Sequence, residues 1–362
     1  KTAIQSKAVS YDVKYEYTTL LNGMSADVKF GDLEKLASTA GVKEVYLANY
    51  YDEPVVMPSM DSANDMTNIT KVRDKDTGKG TVIAVIDTGI TPGHEAFTAY
   101  DSMLNKAAIS KEQAEAAIEK LGRGKYLSAK VPFSYDYYDK DNDANDDVSG
   151  HGTHVSGIAA GCVLSDDGGY EFAGSAPGAQ ILALKVFSSD PAERGTSSDV
   201  YLAALEDAYT LGADVINMSL GAQNGFVYDG IEEKVLNGIF TTLDDAGVIC
   251  CIAAGNEGSM ADGESITGVP AGYVTSDYAD YGVVGSPSTY DGNLSVASVD
   301  NAKYASPAIE VDGAQIGYSD TVNAYNTLAG KTYDFVLVPG NGETSDYAGI
   351  DVTGKVAVIK RG

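Results

Sequence analysis

Hydrophobic positions follow two different rhythms along this chain. In residues 13–21 and 25–30 apolar and polar side chains alternate, as in strands with one wet face, and Asn22-Gly23 between them is a hairpin turn signal. Asp32 then caps a short helix that puts Leu33, Leu36 and Ala37 on one side, Gly41 ends it, and 42–47 reads as a further strand. From Thr81 the rhythm changes to unbroken apolar runs rich in β-branched residues, at 82–86, 181–187, 215–218 and 248–253. Such runs fit strands covered on both faces, as in a parallel sheet. Helical patterns at 154–161, 199–211 and 231–246 alternate with them. The fold class expected is therefore α/β: a mainly parallel sheet with helices on both faces, preceded by a small α+β unit. Beyond about residue 302 the chain turns β-rich, with short apolar runs at 335–338 and 356–359 between glycine-rich spacers. Residues 258–292, rich in Gly and Asp, read as surface loops.

Composition narrows the partners. Fifty-two acidic residues against 25 basic ones give a net charge of −27. That surface repels phosphate backbones and anionic lipid, so no nucleic acid partner is expected. No apolar run approaches a membrane span, and the segment starting at Lys1 lacks the apolar core of a signal peptide, as though cut from something longer. Three cysteines, Cys162, Cys250 and Cys251, make no disulfide framework and read as small buried hydrophobes.

Three short elements carry chemistry. Asp87 follows a buried strand in Val85-Ile86-Asp87-Thr88-Gly89. Two of the three histidines lie in Gly150-His151-Gly152-Thr153-His154-Val155-Ser156-Gly157, where the glycines beside His151 would let a substrate backbone approach a helix start. His154 reads as a core histidine satisfied by backbone. Asn256, in Ala254-Gly255-Asn256 at another strand end, can aim an amide at a developing oxyanion. Active sites of parallel sheets gather at the carboxyl ends of strands, where Asp87 and Asn256 both fall. Taken singly, each element has a plainer reading: a turn aspartate, a zinc set made of His94, His151 and His154, a left-handed turn asparagine.

Together, and in this order, the elements resemble the subtilisin-like serine proteases, or subtilases, over about residues 75–300. Ala176-Pro177-Gly178-Ala179 and Val215-Ile216-Asn217-Met218-Ser219-Leu220-Gly221 extend the match. The resemblance implies that Asp87 orients the imidazole, that His151 is general base and then acid, and that Asn256 donates to the oxyanion. It further implies that Ser219, Leu220 and Gly221 pair with substrate backbone, and that Ala254 and Gly255 line the pocket before the scissile bond. No cofactor is required; subtilases often bind structural calcium, but no residue set here can be assigned to it. Residues 1–52 resemble part of a subtilase propeptide, 53–70 a linker, 71–301 the N-terminal part of the catalytic domain, and 302–362 the start of an inserted protease-associated domain. The insertion resembles that of lactocepin-like cell-envelope proteases, which implies a secreted or wall-associated protein acting on peptides or proteins.

One element departs from the family. The nucleophile motif reads Gly-Thr-Ser-Met, and its nearest match, Gly195-Thr196-Ser197-Ser198, lies between His151 and Asn256 instead of after both. These residues read as helix caps. The expectation is that the serine lies on a C-terminal part of the protease beyond Gly362, and that 1–362 alone does not turn over. The rival readings are a non-catalytic binding protein on the same fold and a zinc hydrolase. The aspartate-rich run 136–147 lacks the glycine and the twelfth-position glutamate of an EF-hand and reads as a solvated acidic loop, able to favour basic substrate residues.

Overall fold

The computed structural model describes residues 4, 9–51, 53, 63–73, 75–98, 107–167, 169–190, 192–193, 195–222, 230–256, 284–299, 307–318 and 328–360. The chain divides into two compact units, 1–302 and 303–362. The alternating N-terminal segment forms an antiparallel hairpin, β1 (Tyr11–Tyr17) and β2 (Gly23–Val28), followed by a short helix, Leu33–Ala37. Residues 42–47 form no strand. Val42 and Val45 instead pack against Leu36 and Val9 as loop residues. The next strand is only two residues long, β3 (Tyr50–Tyr51). Part of 53–70 lies outside the described residues; the rest holds short helical turns at Ala63–Met66 and Ile69–Arg73.

The continuous apolar runs build the core. They form β4 (Val82–Asp87), β8 (Gln180–Lys185), β10 (Val215–Met218) and β11 (Ile249–Ala253), beside the further strands β5 (Phe133–Asp136), β6 (Cys162–Leu164), β7 (Tyr170–Ala173), β9 (Thr196–Ser197) and β12 (Leu294–Val296). Six of these nine strands make one parallel sheet in the order β12-β11-β10-β4-β8-β5. Side chains alternate across it. Ala84 and Ile86 of β4, with Leu182 and Leu184 of β8, face the helices Ser198–Thr210 and Ile231–Asp245 through Tyr201, Leu205 and Phe240. Ile83 and Val85, with Ile181 and Ala183, face the helix His151–Ala160 through Val155 and Ala160. Burial on both faces is why these strands need no polar alternation. The helix Lys111–Leu121, with a Ser110–Gln113 capping box, and the β6–β7 hairpin complete the unit.

The second unit holds the antiparallel pair β13 (Ala308–Val311) and β14 (Ala314–Gly317) and the parallel pair β15 (Phe335–Leu337) and β16 (Val356–Val358). The Asp312-Gly313 turn has positive φ at both residues, 51° and 82°, as a two-residue hairpin turn requires.

Residues 9–51 dock on the sheet unit through a buried carboxylate. Glu206, 7% exposed on the helix Ser198–Thr210, accepts backbone N–H groups from Thr18 (3.1 Å), Thr19 (2.8 Å), Leu20 (2.7 Å) and Leu21 (3.2 Å). The Tyr17 hydroxyl donates to the Asp199 carbonyl at 2.7 Å, the Ser25 hydroxyl to the Asp199 carboxylate, and the Tyr15 hydroxyl to the Tyr137 carbonyl at 2.5 Å. Removing the carboxylate leaves four N–H groups to find water or remain unpaired. Glu206→Ala should weaken this docking by about 2–3 kcal/mol. Hydrogen exchange should then show β1 and β2 opening well before β4 and β8; equal protection in the variant and the parent would contradict it.

Candidate active site

Asp87 has the strand parity of Ile83 and Val85, so it points to the sheet face that carries the helix His151–Ala160. That helix begins where β4 ends. The His151 Nδ1 lies 2.7 Å from the Asp87 Oδ1. Asp87 is 0% exposed and the His151 side chain 12%. The approach is this close because Gly152 has no side chain: a Cβ there would stand 2.3 Å from the Gly89 carbonyl oxygen. Gly89 is equally constrained, with φ +119° and the Ala144 carbonyl oxygen 2.5 Å from where a Cβ would be. Gly152 therefore serves helix-to-loop packing.

The electrostatics suit a base with a fixed tautomer. The Thr88 N–H donates to the Asp87 Oδ1 at 2.7 Å, and the Asp87 Oδ2 has no hydrogen-bond partner among the described residues. Burial pushes the Asp87 carboxyl up, against the hydrogen bond and charge of His151 and the Thr88 N–H. For His151, burial favours the neutral ring. The hydrogen bond and charge of Asp87, joined by the charges of Asp146 and Glu53, outweigh it and raise the pKa. An Asp–His hydrogen bond at Nδ1 leaves Nε2 as the ring's acceptor for a nucleophile's proton.

His154 lies one turn further along, half-buried, and its ring makes no hydrogen bond to a described residue, unlike the backbone-satisfied histidine expected. Burial and the charge of His151 lower its pKa. His94 is occupied elsewhere, its Nδ1 accepting the Ala96 N–H at 3.2 Å.

The other expected residues stand at the same end of the sheet. Ser219, Leu220 and Gly221 continue β10, and Ala254, Gly255 and Asn256 continue β11. One segment ties the two together: Ala222 and Ser286 exchange N–H···O bonds at 2.8 and 3.1 Å, and the Gly285 N–H donates to the Ala254 carbonyl at 2.7 Å. Leu220 and Ala254 are buried, and Gly255 and Asn256 are exposed. Because β10 separates β4 from β11, Asp87 and Ala254 stand about 10 Å apart across the sheet edge, two strand spacings. Much of the stretch 258–292 lies outside the described residues.

Two functional features escaped the sequence. Thr196–Ser197, expected only as cap residues, form β9, which pairs antiparallel with β3. Ser197 does precede the helix, but its hydroxyl donates to Asp199 at 2.5 Å and makes no cap bond. The Ser198 N–H donates to the Asn49 carbonyl at 2.9 Å and the Asn49 N–H to the Ser198 Oγ at 3.1 Å. Tyr51 is 1% exposed, edge-on to Tyr201 with ring centroids 5.5 Å apart. The chain then runs to Glu53, whose charge reaches His151. Nothing local in a Thr-Ser dipeptide announces a strand that exists only through a distant partner, Tyr51 opposite Thr196 and Tyr50 opposite Ser197. The second feature is the run 136–147, which is not wholly solvated. Asp136 and Asp146 are buried, the first paired with Lys185 at 2.6 Å.

The subtilase family profile matches residues 78–348, and the chain belongs to the subtilase family. Among characterised proteins it is 34% identical over 361 residues to the PII-type proteinase of Lactococcus lactis subsp. cremoris, which covers 96% of this chain and 18% of that protein. It is 33% identical over 307 residues to the C5a peptidase of Streptococcus pyogenes, covering 83% of this chain and 25% of that protein. The chain thus spans about a fifth of the length of these relatives. Among solved structures, MycP1 with the N-terminal propeptide removed aligns over 65% of this chain and 61% of its own, at 23% identity and a TM-score of 0.39.

The opposed effects of burial and of Asp87 on His151 give a signed test. With Asp87→Asn the largest raising influence goes while burial and the smaller charges of Asp146 and Glu53 remain, so His151 should titrate lower than in the parent. Nitrogen-15 NMR of the labelled histidines would show it; an unmoved midpoint would mean that the pair is not coupled in solution.

Proposed function

We propose that this chain is the base-bearing part of a serine endopeptidase that hydrolyses peptide bonds in polypeptide substrates. The observation that carries the reading is the 2.7 Å hydrogen bond between His151 and a fully buried Asp87 at the carboxyl end of β4. In the reaction a serine Oγ attacks the scissile carbonyl carbon while His151 Nε2 takes its proton. Asp87 steadies the imidazolium. Asn256 donates to the oxygen that gains negative charge. His151 then returns the proton to the leaving amine as the carbon–nitrogen bond breaks, and a water repeats the cycle on the acyl-enzyme. The serine comes from sequence after Gly362, in the family's chain order.

Residues 1–52 act as a propeptide and 71–301 as the N-terminal part of the catalytic domain, with 302–362 opening a protease-associated domain. The antiparallel β3–β9 pair supports a tail that lies along the cleft as a substrate strand would; Ser219 to Gly221 would then pair with substrate backbone and Ala254 and Gly255 line the pocket, as the family resemblance implies. Cleavage in 53–70 would release it. The protein works outside the cytoplasm or on the wall; among the described residues no helix is long and apolar enough to cross a membrane. It needs no cofactor.

The full-length protein should hydrolyse peptides and label with a serine-directed phosphonate. His151→Ala should cut turnover at least about 10⁴-fold. Asn256→Ala should lower kcat by about 10²–10³ with little change in KM. Binding of peptides without any turnover would favour a non-catalytic binding protein, and full activity in His151→Ala would end the peptidase reading.

A further inference from the structure

Of the aspartates between β5 and the His151 helix, one is unlike its neighbours. Asp146 is 6% exposed, whereas Asp141, Asp143 and Asp147 face solvent. Its Oδ1 accepts the Thr88 hydroxyl at 2.9 Å and the Gly150 N–H at 3.0 Å. Its Oδ2 accepts the Thr153 N–H at 2.9 Å and the Thr153 hydroxyl at 3.0 Å. Thr88 is the residue after Asp87; Gly150 and Thr153 bracket His151. Two more bonds close the same seam. The Gly152 N–H donates to the Thr88 Oγ1 at 2.8 Å, and the Thr91 N–H to the Thr153 Oγ1 at 2.9 Å.

We propose that Asp146 is a positioning residue: its carboxylate ties the exit of β4 to the first turn of the His151 helix and so sets the Asp87–His151 hydrogen bond. The consequence for turnover rests on the peptidase reading above; the effect on the pair does not.

Only a carboxylate satisfies this position. Four donors converge on it, and two are backbone N–H groups that cannot turn away. An asparagine has one accepting oxygen. Whichever way its amide is turned, its NH2 faces two donors, one of them a backbone N–H. The negative charge also suits the first turn of a helix, where N–H groups point outward unpaired. The charges that face His151 come from three directions: Asp87 on β4, Asp146 in the loop and Glu53 in the tail, while His154 lies on the same helix. Losing Asp146 therefore removes a charge and loosens the geometry together, and a control must separate the two.

Asp147→Asn is that control. It removes the same charge one residue away, from a side chain that faces solvent. With only three histidines in the chain, each is resolvable by labelling. In Asp146→Asn the His151 midpoint should fall, because a raising charge is lost, and the low-field Nδ1 proton should exchange faster. Asp147→Asn should change neither. In the full-length enzyme, kcat per titrated active site should fall about 10-fold or more in Asp146→Asn, with KM nearly constant. Where Asp146→Asn does not fold, Thr88→Val removes the same seam from the other side and should also speed exchange of the Nδ1 proton. The proposal is overturned if a folded Asp146→Asn, or Thr88→Val in its place, keeps the parent's Nδ1 proton and titration, or if Asp147→Asn moves them equally. Absence of turnover in every form, parent included, would defeat the peptidase reading while these NMR outcomes still decide the role of Asp146.

Discussion

A carboxylate with no access to water sits at the end of the central strand, and much of the surrounding structure answers to it. Burying an ionised group is costly unless hydrogen bonds and opposite charge replace the lost solvent. Asp87 receives the Thr88 N–H and the His151 ring on one oxygen, and no described donor reaches the other. Its charge is therefore stabilised chiefly by an imidazole, and most strongly when that imidazole is protonated. A buried carboxylate left so dependent makes a poor stability device and a good partner for a base that must carry a proton briefly. Gly152 follows from that requirement, because a side chain there would run into the Gly89 backbone at the exit of β4, while Gly89 makes room for the Ala144 carbonyl.

The N-terminal unit meets the same sheet by a different physics. Its docking uses the short strand β9, which pairs with β3 outside the central sheet, a buried glutamate that gathers backbone donors, and Tyr51 inserted against Tyr201. Strand addition at an edge recognises backbone and is indifferent to most side chains, while a buried aromatic supplies selectivity.

The sheet was legible because burial on both faces leaves an unbroken apolar signature: 82–86, 215–218 and 248–253 all lie on strands of the central sheet. The run at 181–187 was placed only slightly late. Segments whose conformation depends on partners were not legible. Residues 42–47 have strand-like composition, yet they pair with no described strand and pack as a loop through Val42 and Val45. The Lys111–Leu121 helix does announce itself, through Ser110 and Gln113, a capping-box spacing that went unread. For the site, Asp87 and His151 were recognisable from their flanks, and the structure sets them 2.7 Å apart. The nearby aspartates were not separable, since composition cannot distinguish a solvated carboxylate from one enclosed by donors.

A run of six aspartates in twelve residues would be read by charge alone as a region that repels itself and stays in water. Two of the six escape that fate for separate reasons. Asp136 ends β5 and meets the ammonium of Lys185, which also donates to the Phe187 carbonyl at 2.6 Å and the Ser189 hydroxyl at 2.9 Å. Asp146 has no salt bridge to a cation among the described residues and is held by N–H and O–H groups. Between these two anchors the loop is pinned at both ends, with the Ala144 carbonyl accepting the Ile90 N–H at 2.9 Å in between. The remaining aspartates can then stay solvated without loosening the approach to His151. The acidity of the run and the rigidity of the site are thus carried by different members of the same twelve residues.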